Sequence, residues 1–189
     1  QWASSPNFYE NSPLFSQNGK VIETKGESSI ATMNLALRWI KKMSEGEKPF
    51  LAVIWFGSPH SPHQGVDEFM KPYQKEPKAL QHFYAEISGM DAAMGNLRKG
   101  LRNLKIHEDT LLWYTSDNGG LKSNSMGGLS GKKGSLLEGG IRVPAILEWP
   151  RKIPVARNIS TPCNTSDFYP TLLELAGVTN LKEQPLLDG

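Results

Sequence analysis

Three apolar runs that do not alternate, separated by stretches with helical spacing, limit what this chain can fold into more than any other feature. "FLAVIWF" (50–56), "TLLWYTS" (110–116) and "IRVPAILEW" (141–149) are rich in branched and aromatic residues. A strand with one wet face alternates apolar and polar side chains; a run that stays apolar suits a strand covered on both faces. Between the runs the period changes. "GESSIATMNLALRWIKKMSEG" puts Met33, Ala36, Leu37 and Ile40 on one side of a helix, with Ser28 or Ser29 as cap and Gly46 just past its end. Phe83, Ile87, Met90, Met94, Leu97 and Leu101 step by four and three along a longer helix. "SDFYPTLLELAG" (166–177) closes as a short helix, capped by Ser166 or Asp167 and stopped by Gly177. Strands alternating with helices predict an α/β fold with a mostly parallel sheet flanked by helices.

Composition narrows the class. Of 189 residues, 38% are hydrophobic and 21% charged, the balance of a folded globular chain. A formal net charge of +2 leaves no concentrated basic face, so no nucleic-acid partner is expected. No apolar run approaches the roughly 20 residues of a membrane span. A single cysteine, Cys163, excludes an internal disulfide framework and a cysteine-built zinc site. Asn158 and Asn164 each head a glycosylation sequon. Residues 1–27 read as an irregular leading segment in which "KVIET" is the one possible strand. The chain opens on Gln1 with no signal peptide, so its true start is expected upstream. With no repeats and no clear linker, it reads as part of one domain.

In open α/β sheets, ligands bind beyond the carboxyl ends of the strands. Three segments there carry unusual polar content. Asp117 and Asn118 follow the second run at once and are backed by two glycines. A carboxylate and an amide oxygen suit a hard cation such as calcium or magnesium, and the same four residues are also good turn chemistry. His60 and His63 lie in the proline-dotted loop after the first run. His60 can hydrogen-bond an anionic ester or protonate a leaving group, or be a loop histidine with no task. His63 is the weaker candidate, and His82 and His107 read as surface positions. Lys132 and Lys133 stand in a glycine-rich loop where a cation and free backbone N–H groups can cradle an oxyanion; such a pair is also ordinary solvated surface. "GKKGS" fails the phosphate-loop pattern because Gly134 follows the lysines. Taken together, a hard-cation site, a histidine and a lysine at one sheet edge suit hydrolysis of an anionic ester.

The segments "KPFLAVIWFGSPHSPH", "YAEISGMDAAMGNL", "LLWYTSDNGG", "GLSGKKGSLLEGGIRVPAILEWP" and "SDFYPTLLELAG" occur in one order. In that order the chain, from about Gly26 to Gly189, resembles the sulfatase family within the alkaline-phosphatase-like superfamily. The resemblance implies a partial alkaline-phosphatase-like sandwich. It implies that Asp117 and Asn118 are two calcium ligands, that Lys133 binds the sulfate, and that His60 is the active-site histidine beside it. Lys132 and His63 receive no role, and Glu138, Gly139, Gly140 and Arg142 shape the turn and strand. The family's nucleophile, a formylglycine made from the cysteine or serine of a C-x-P-S-R motif, does not occur in these residues, nor do the paired aspartates that complete the calcium site. Cys163, followed by Asn164, Thr165 and Ser166, is not that cysteine.

The chain is therefore expected to be an internal fragment, the C-terminal portion of a sulfatase catalytic domain, inactive alone. The expected function is a sulfuric ester hydrolase acting on a sulfated small molecule or carbohydrate, with one calcium ion. The alternatives are a phosphatase, phosphodiesterase or phosphonate hydrolase of the same superfamily, or a non-catalytic binding module. Members that place a histidine after the strand-end aspartate favour zinc; Asn118 favours calcium. The family implies a periplasmic, lysosomal or extracellular location. Oligomeric state stays open.

Overall fold

Helix α1 (Ser28–Ser44) starts where a carboxylate meets the unpaired N–H groups of its first turn. In the computed structural model, which describes residues 2–3, 11, 15–121 and 125–178, Glu27 is the N-cap. Its Oε1 accepts the Ser29 N–H and its Oε2 the Ile30 N–H, both at 2.9 Å. Ser28 and Ser29, the expected caps, are instead the first helical residues and are buried. A carboxylate satisfies two orphan donors at once and places negative charge at the positive end of the helix.

Helix α3 (Lys78–Asn103) packs against α1, with Met33, Leu35, Ala36 and Ile40 buried on one and Phe83, Ala85, Ala93, Leu97 and Leu101 on the other. Met33, fully buried, alone contributes roughly 2 kcal/mol of apolar transfer. Glycine sets the distance of approach. A Cβ at Gly89 would meet the Glu27 side chain, and one at Gly100 would meet Leu37. Both contacts advance in the same sense along the two helices, so α1 and α3 run side by side in one direction. The buried face of α3 is rotated from the expected stripe: Ile87 is exposed, while Ala85, Glu86 and Gly89 are buried. Gly89 lies there because only a glycine admits the Glu27 cap of α1 so close.

Between these helices the expected loop contains the one-turn helix α2 (Asp67–Met70) and a 3-10 turn, Lys71–Tyr73. Tyr73 reaches α3 through a 2.7 Å hydrogen bond with Ser88. Residues 51–57 form no strand among the described residues, and Leu51, Val53 and Trp55 are exposed. The run at 50–56 is the expected strand that the structure does not form. A strand apolar on both faces needs ladder neighbours and two covering layers, and none pairs with it among the described residues. The leading residues are less irregular than expected. Strands β1 (Trp2–Ala3), β2 (Phe15–Gln17) and β3 (Lys20–Ile22) form an antiparallel sheet in the order β1-β2-β3. Asn18 and Gly19 turn β2 into β3 with φ of 52° and 82°, the left-handed pair that a two-residue hairpin demands. Residues 1, 4–10 and 12–14 of that segment lie outside the described residues, as do 122–124 and 179–189.

The chain divides into two compact units, residues 1–110 and 111–189. The second is built on β4 (Leu112–Thr115) and β5 (Ala145–Glu148), paired antiparallel from Leu112 opposite Glu148 to Thr115 opposite Ala145. The mostly parallel sheet is not the pairing seen among the described residues. The reason lies in the connection, where the Gly119 N–H donates to the Gly140 carbonyl oxygen at 2.9 Å. The chain thus leaves β4 and enters β5 at the same edge, whereas parallel strands need a crossover to the opposite edge. Ile141 and its neighbours, expected to open the strand, form the one-turn helix α4 (Glu138–Ile141). Helix α5 (Phe168–Leu175) follows a 3-10 turn capped by Asn164 rather than Ser166 or Asp167. Asn164 Oδ1 accepts the Ser166 N–H at 2.8 Å, and the Asn164 N–H donates to Asp167 Oδ2 at 2.7 Å, a reciprocal capping box. Gly177, at φ 70°, ends the helix as expected. Phe168 lies 4.1 Å, ring to ring, from Trp113 of β4. No helix among the described residues is long and apolar enough to cross a membrane.

Glu86, on the inner side of α3 and 1% exposed, is the costliest group in the first unit. Burial, opposed in part by the Gln64 N–H and reinforced by the charge of Glu27, raises its pKa from 4.5 to about 7. Between those two values the folded protein holds a proton that the unfolded chain releases, so stability falls as pH rises through this window. The loss should be on the order of 3 kcal/mol. Urea midpoints measured between pH 5 and 8 should therefore decline in the wild type and stay flatter in Glu86→Gln; equal slopes would rule out Glu86 as the titrating group.

Candidate active site

Strand β4 ends at Thr115 and the chain turns immediately. The Ser116 hydroxyl donates to the Asn118 carbonyl oxygen at 3.0 Å, tightening the turn. The Asn118 side-chain amide donates to Asp117 Oδ2, which fixes the two side chains against each other. This engages the amide nitrogen and leaves Oδ1 of Asp117 and Oδ1 of Asn118 as the oxygens for a cation. Asp117 is exposed and Asn118 half-buried.

The two glycines that follow join this turn to the lysine loop. The Gly119 N–H donates to the Gly140 oxygen, and a Cβ at Gly119 would collide with the Gly139 carbonyl. The Gly120 oxygen accepts the Lys133 N–H at 2.9 Å, and the Gly139 N–H donates to the Ser130 oxygen at 2.7 Å. Gly131 and Gly134, each at φ 87°, bracket the lysines in left-handed conformations that other residues rarely adopt. Within the bracket, the Ser135 N–H donates to the Lys132 oxygen at 2.9 Å and the Lys132 N–H to Ser135 Oγ at 3.2 Å. The structure therefore brings Asp117, Asn118 and Lys133 onto one backbone cluster. Lys132 is exposed and Lys133 half-buried. Glu138 and Arg142 form an exposed ion pair of 3.2 Å across α4, a contact of a few tenths of a kcal/mol.

His60 belongs to the first unit. Its N–H donates to the Gly57 oxygen at 3.0 Å, and its Nδ1 lies 2.6 Å from the Ser61 carbonyl oxygen. A carbonyl can only accept, so Nδ1 carries the proton of that hydrogen bond. The residue is exposed, and the peptide bonds Ser58–Pro59 and Ser61–Pro62 on either side are cis. His63, the weaker candidate in the sequence, is 11% exposed and lies 3.3 Å from Glu86. His82 is half-buried on α3 rather than a surface position, and Cys163 is exposed. Glu86 escaped notice in the sequence, although a glutamate three residues after Phe83 and seven before Ala93 sits on the buried stripe.

Asp117 and Asn118 fit a hard cation by chemistry, as a carboxylate and an amide oxygen. They supply two oxygens where calcium takes six to eight, and no group of three or more His, Cys, Asp or Glu able to hold a metal occurs among the described residues. The pair alone would fall short of a calcium ligand set.

A model of the sulfatase family matches residues 1–178. The chain belongs to the sulfatase family. Human steryl-sulfatase is 32% identical over 154 residues, 76% of this chain and 25% of its own. The canine N-acetylgalactosamine-6-sulfatase is 28% identical over 196 residues, 100% of this chain and 35% of its own. This sulfatase chain thus spans about a quarter to a third of those curated relatives. Among solved structures, Ps i-CgsB in complex with k-i-k-neocarrahexaose superposes with a TM-score of 0.85 at 30% identity, over 93% of this chain and 40% of that one. The PsFucS1 sulfatase from Pseudoalteromonas sp. shares the fold, with a TM-score of 0.68 at 24% identity over 93% of this chain and 36% of that one. The α/β class and the partial alkaline-phosphatase-like fold follow.

The glycine contacts in this sulfatase leave no room for a side chain. Gly119→Ala should force the turn and α4 apart and lower the unfolding free energy by roughly 2–3 kcal/mol. An unchanged urea midpoint would mean that the two loops are not held as tightly as the contacts require.

Proposed function

We propose that the whole protein hydrolyses sulfate monoesters of a carbohydrate, with Asp117, Asn118 and Lys133 forming one side of the reaction centre. The reading is carried by the Lys133 N–H to Gly120 oxygen bond, which ties the lysine turn directly to the turn bearing the two oxygen ligands. Asp117 and Asn118 would hold calcium through their Oδ1 atoms, with further ligands and a formylglycine nucleophile supplied from outside these residues. Bound there, the ion would neutralise charge on the sulfate oxygens. The Lys133 ammonium, on a turn fixed by two left-handed glycines, offsets the same charge without having to reorganise. His60, its Nδ1–H held by the Ser61 oxygen, would bring Nε2 to the ester. Protonated, that nitrogen donates to a sulfate oxygen or to the leaving alcohol.

The carbohydrate preference is supported by the oligosaccharide bound to the 30% identical Ps i-CgsB. Steryl-sulfatase is related at a similar level, so kinship alone does not choose the alcohol. Sulfate rather than phosphate is favoured by Asn118, since an amide oxygen after the aspartate keeps the donor set hard.

In the whole protein, Asp117→Ala and Lys133→Ala should each lower arylsulfate hydrolysis at least about a hundredfold. Calcium chelation should lower the wild-type melting temperature and leave Asp117→Ala little changed, a readout independent of turnover. Wild-type rates in either variant would overturn the assignments. Phosphate esters cleaved faster than sulfate esters would move the protein to the phosphatase reading, and steroid sulfates preferred over sulfated oligosaccharides would overturn the substrate class.

A further inference from the structure

The first unit buries a polar network that the proposed chemistry does not use. Glu86 lies inside α3, yet both of its carboxylate oxygens face the loop that carries His60. Oε1 accepts the Gln64 N–H, and Oε2 lies 3.3 Å from His63 Nδ1. His63 Nε2 in turn lies 3.5 Å from Ser61 Oγ, and the Ser61 carbonyl oxygen holds His60 Nδ1 at 2.6 Å. The donors form a consistent series: His60 Nδ1–H to the Ser61 oxygen, the Ser61 hydroxyl to His63 Nε2, and His63 Nδ1–H to Glu86. The His63 ring is further fixed edge-on to Phe83, with centroids 5.1 Å apart. Close approach of the loop backbone completes the clamp, because a Cβ at Gly65 would strike Ala85 and the His82 carbonyl.

We propose that Glu86 is a positioning residue for His60, acting through His63 and Gln64 to fix the orientation of the imidazole. This rests on the reading of His60 as the histidine at the sulfate. Three observations separate the role from plain packing. Glu86 reaches the loop within four residues of His60 and at two atoms rather than one. The other holds on this loop from α3 are apolar or steric, the His63 ring against Phe83 and Gly65 against Ala85, so Glu86 supplies a directional one. Burial also raises the Glu86 pKa to about 7, so the group costs stability at neutral pH where an apolar residue of similar size would not. A buried acid that weakens the fold and holds an active-site loop is retained for the loop.

The test is a double-mutant cycle in the whole protein, read as kcat/KM for an arylsulfate near pH 8. Glu86→Ala should lower kcat/KM at least tenfold. Glu86→Gln, whose amide oxygen still accepts the Gln64 N–H, should recover to within about threefold of wild type. In a His60→Ala background, Glu86→Ala should change the residual rate less than twofold. His63→Ala, which leaves the Glu86–Gln64 bond in place, should behave in the same way with at least a fivefold loss, and it serves if Glu86→Ala does not fold. Equal losses with and without His60, or a glutamine variant no better than alanine, would overturn the proposal. Wild-type hydrolysis by His60→Ala is a different result: it removes the site reading itself, and the positioning role with it.

Discussion

Two carboxylates buried against one helix govern the first unit. Glu27 leaves water to cap α1, where its two oxygens accept the Ser29 and Ile30 N–H groups. Its side chain lies over Gly89, so the cap of one helix is also the wedge that sets its distance from the next. Glu86, one turn before Gly89 on α3, has the Gln64 N–H and the His63 ring in place of a helix end. The charge on Glu27 raises the pKa of Glu86, so the better-solvated acid makes the other harder to ionise. An apolar pair would pack α1 on α3 at least as well. Glu86 also ties that packing to the loop on which His60 stands through directional bonds.

The second unit solves the same problem with missing side chains. Gly119, Gly139 and Gly140 let three backbone segments come within hydrogen-bond reach, and the bonds Gly119 to Gly140, Lys133 to Gly120 and Gly139 to Ser130 close the set. Peptide groups are the most rigid donors and acceptors a chain owns, so a site hung on them needs no further packing to hold its register. The same bonds explain why β4 and β5 are antiparallel. A connection pinned shut at its two ends must return to the edge it left.

How much of this could be read from the sequence follows from the range of the interaction concerned. The long helices were legible because their periodicity is local, and Gly177 was legible as a stop because the left-handed requirement is local too. The turns proposed to bear the chemistry were named as motifs, Asp117 and Asn118 from residue type and order and Lys133 from the family resemblance, and the structure adds the backbone bonds between them. The cap was misjudged because a serine is the commoner solution, and the inner face of α3 because close approach by the Glu27 cap and by the loop at Gly65 favours Gly89 and Ala85 over Ile87. The Asn18-Gly19 hairpin carried a plain signal that the polar surroundings obscured. "FLAVIWF" is the instructive miss. Its composition states what surroundings the run needs, but a strand exists only where another backbone pairs with it, and none does among the described residues.

His63 shows why residue type alone misleads at such a site. It stands three residues after His60 in a loop with two prolines, and the family resemblance gives a role to His60 and none to His63. The structure separates them by partner. His60 is exposed with Nδ1 on a carbonyl; His63 is nearly buried, with Nδ1 on a carboxylate and Nε2 beside the Ser61 hydroxyl. A histidine facing a carboxylate inside the fold is suited to holding a loop in place. The lysine pair divides on the same principle. Lys132 bonds within its own turn, whereas Lys133 bonds to the turn that carries Asp117 and Asn118. In both pairs the neighbour that each backbone or ring is tied to tells two like residues apart, and that neighbour is the one thing adjacent letters do not spell.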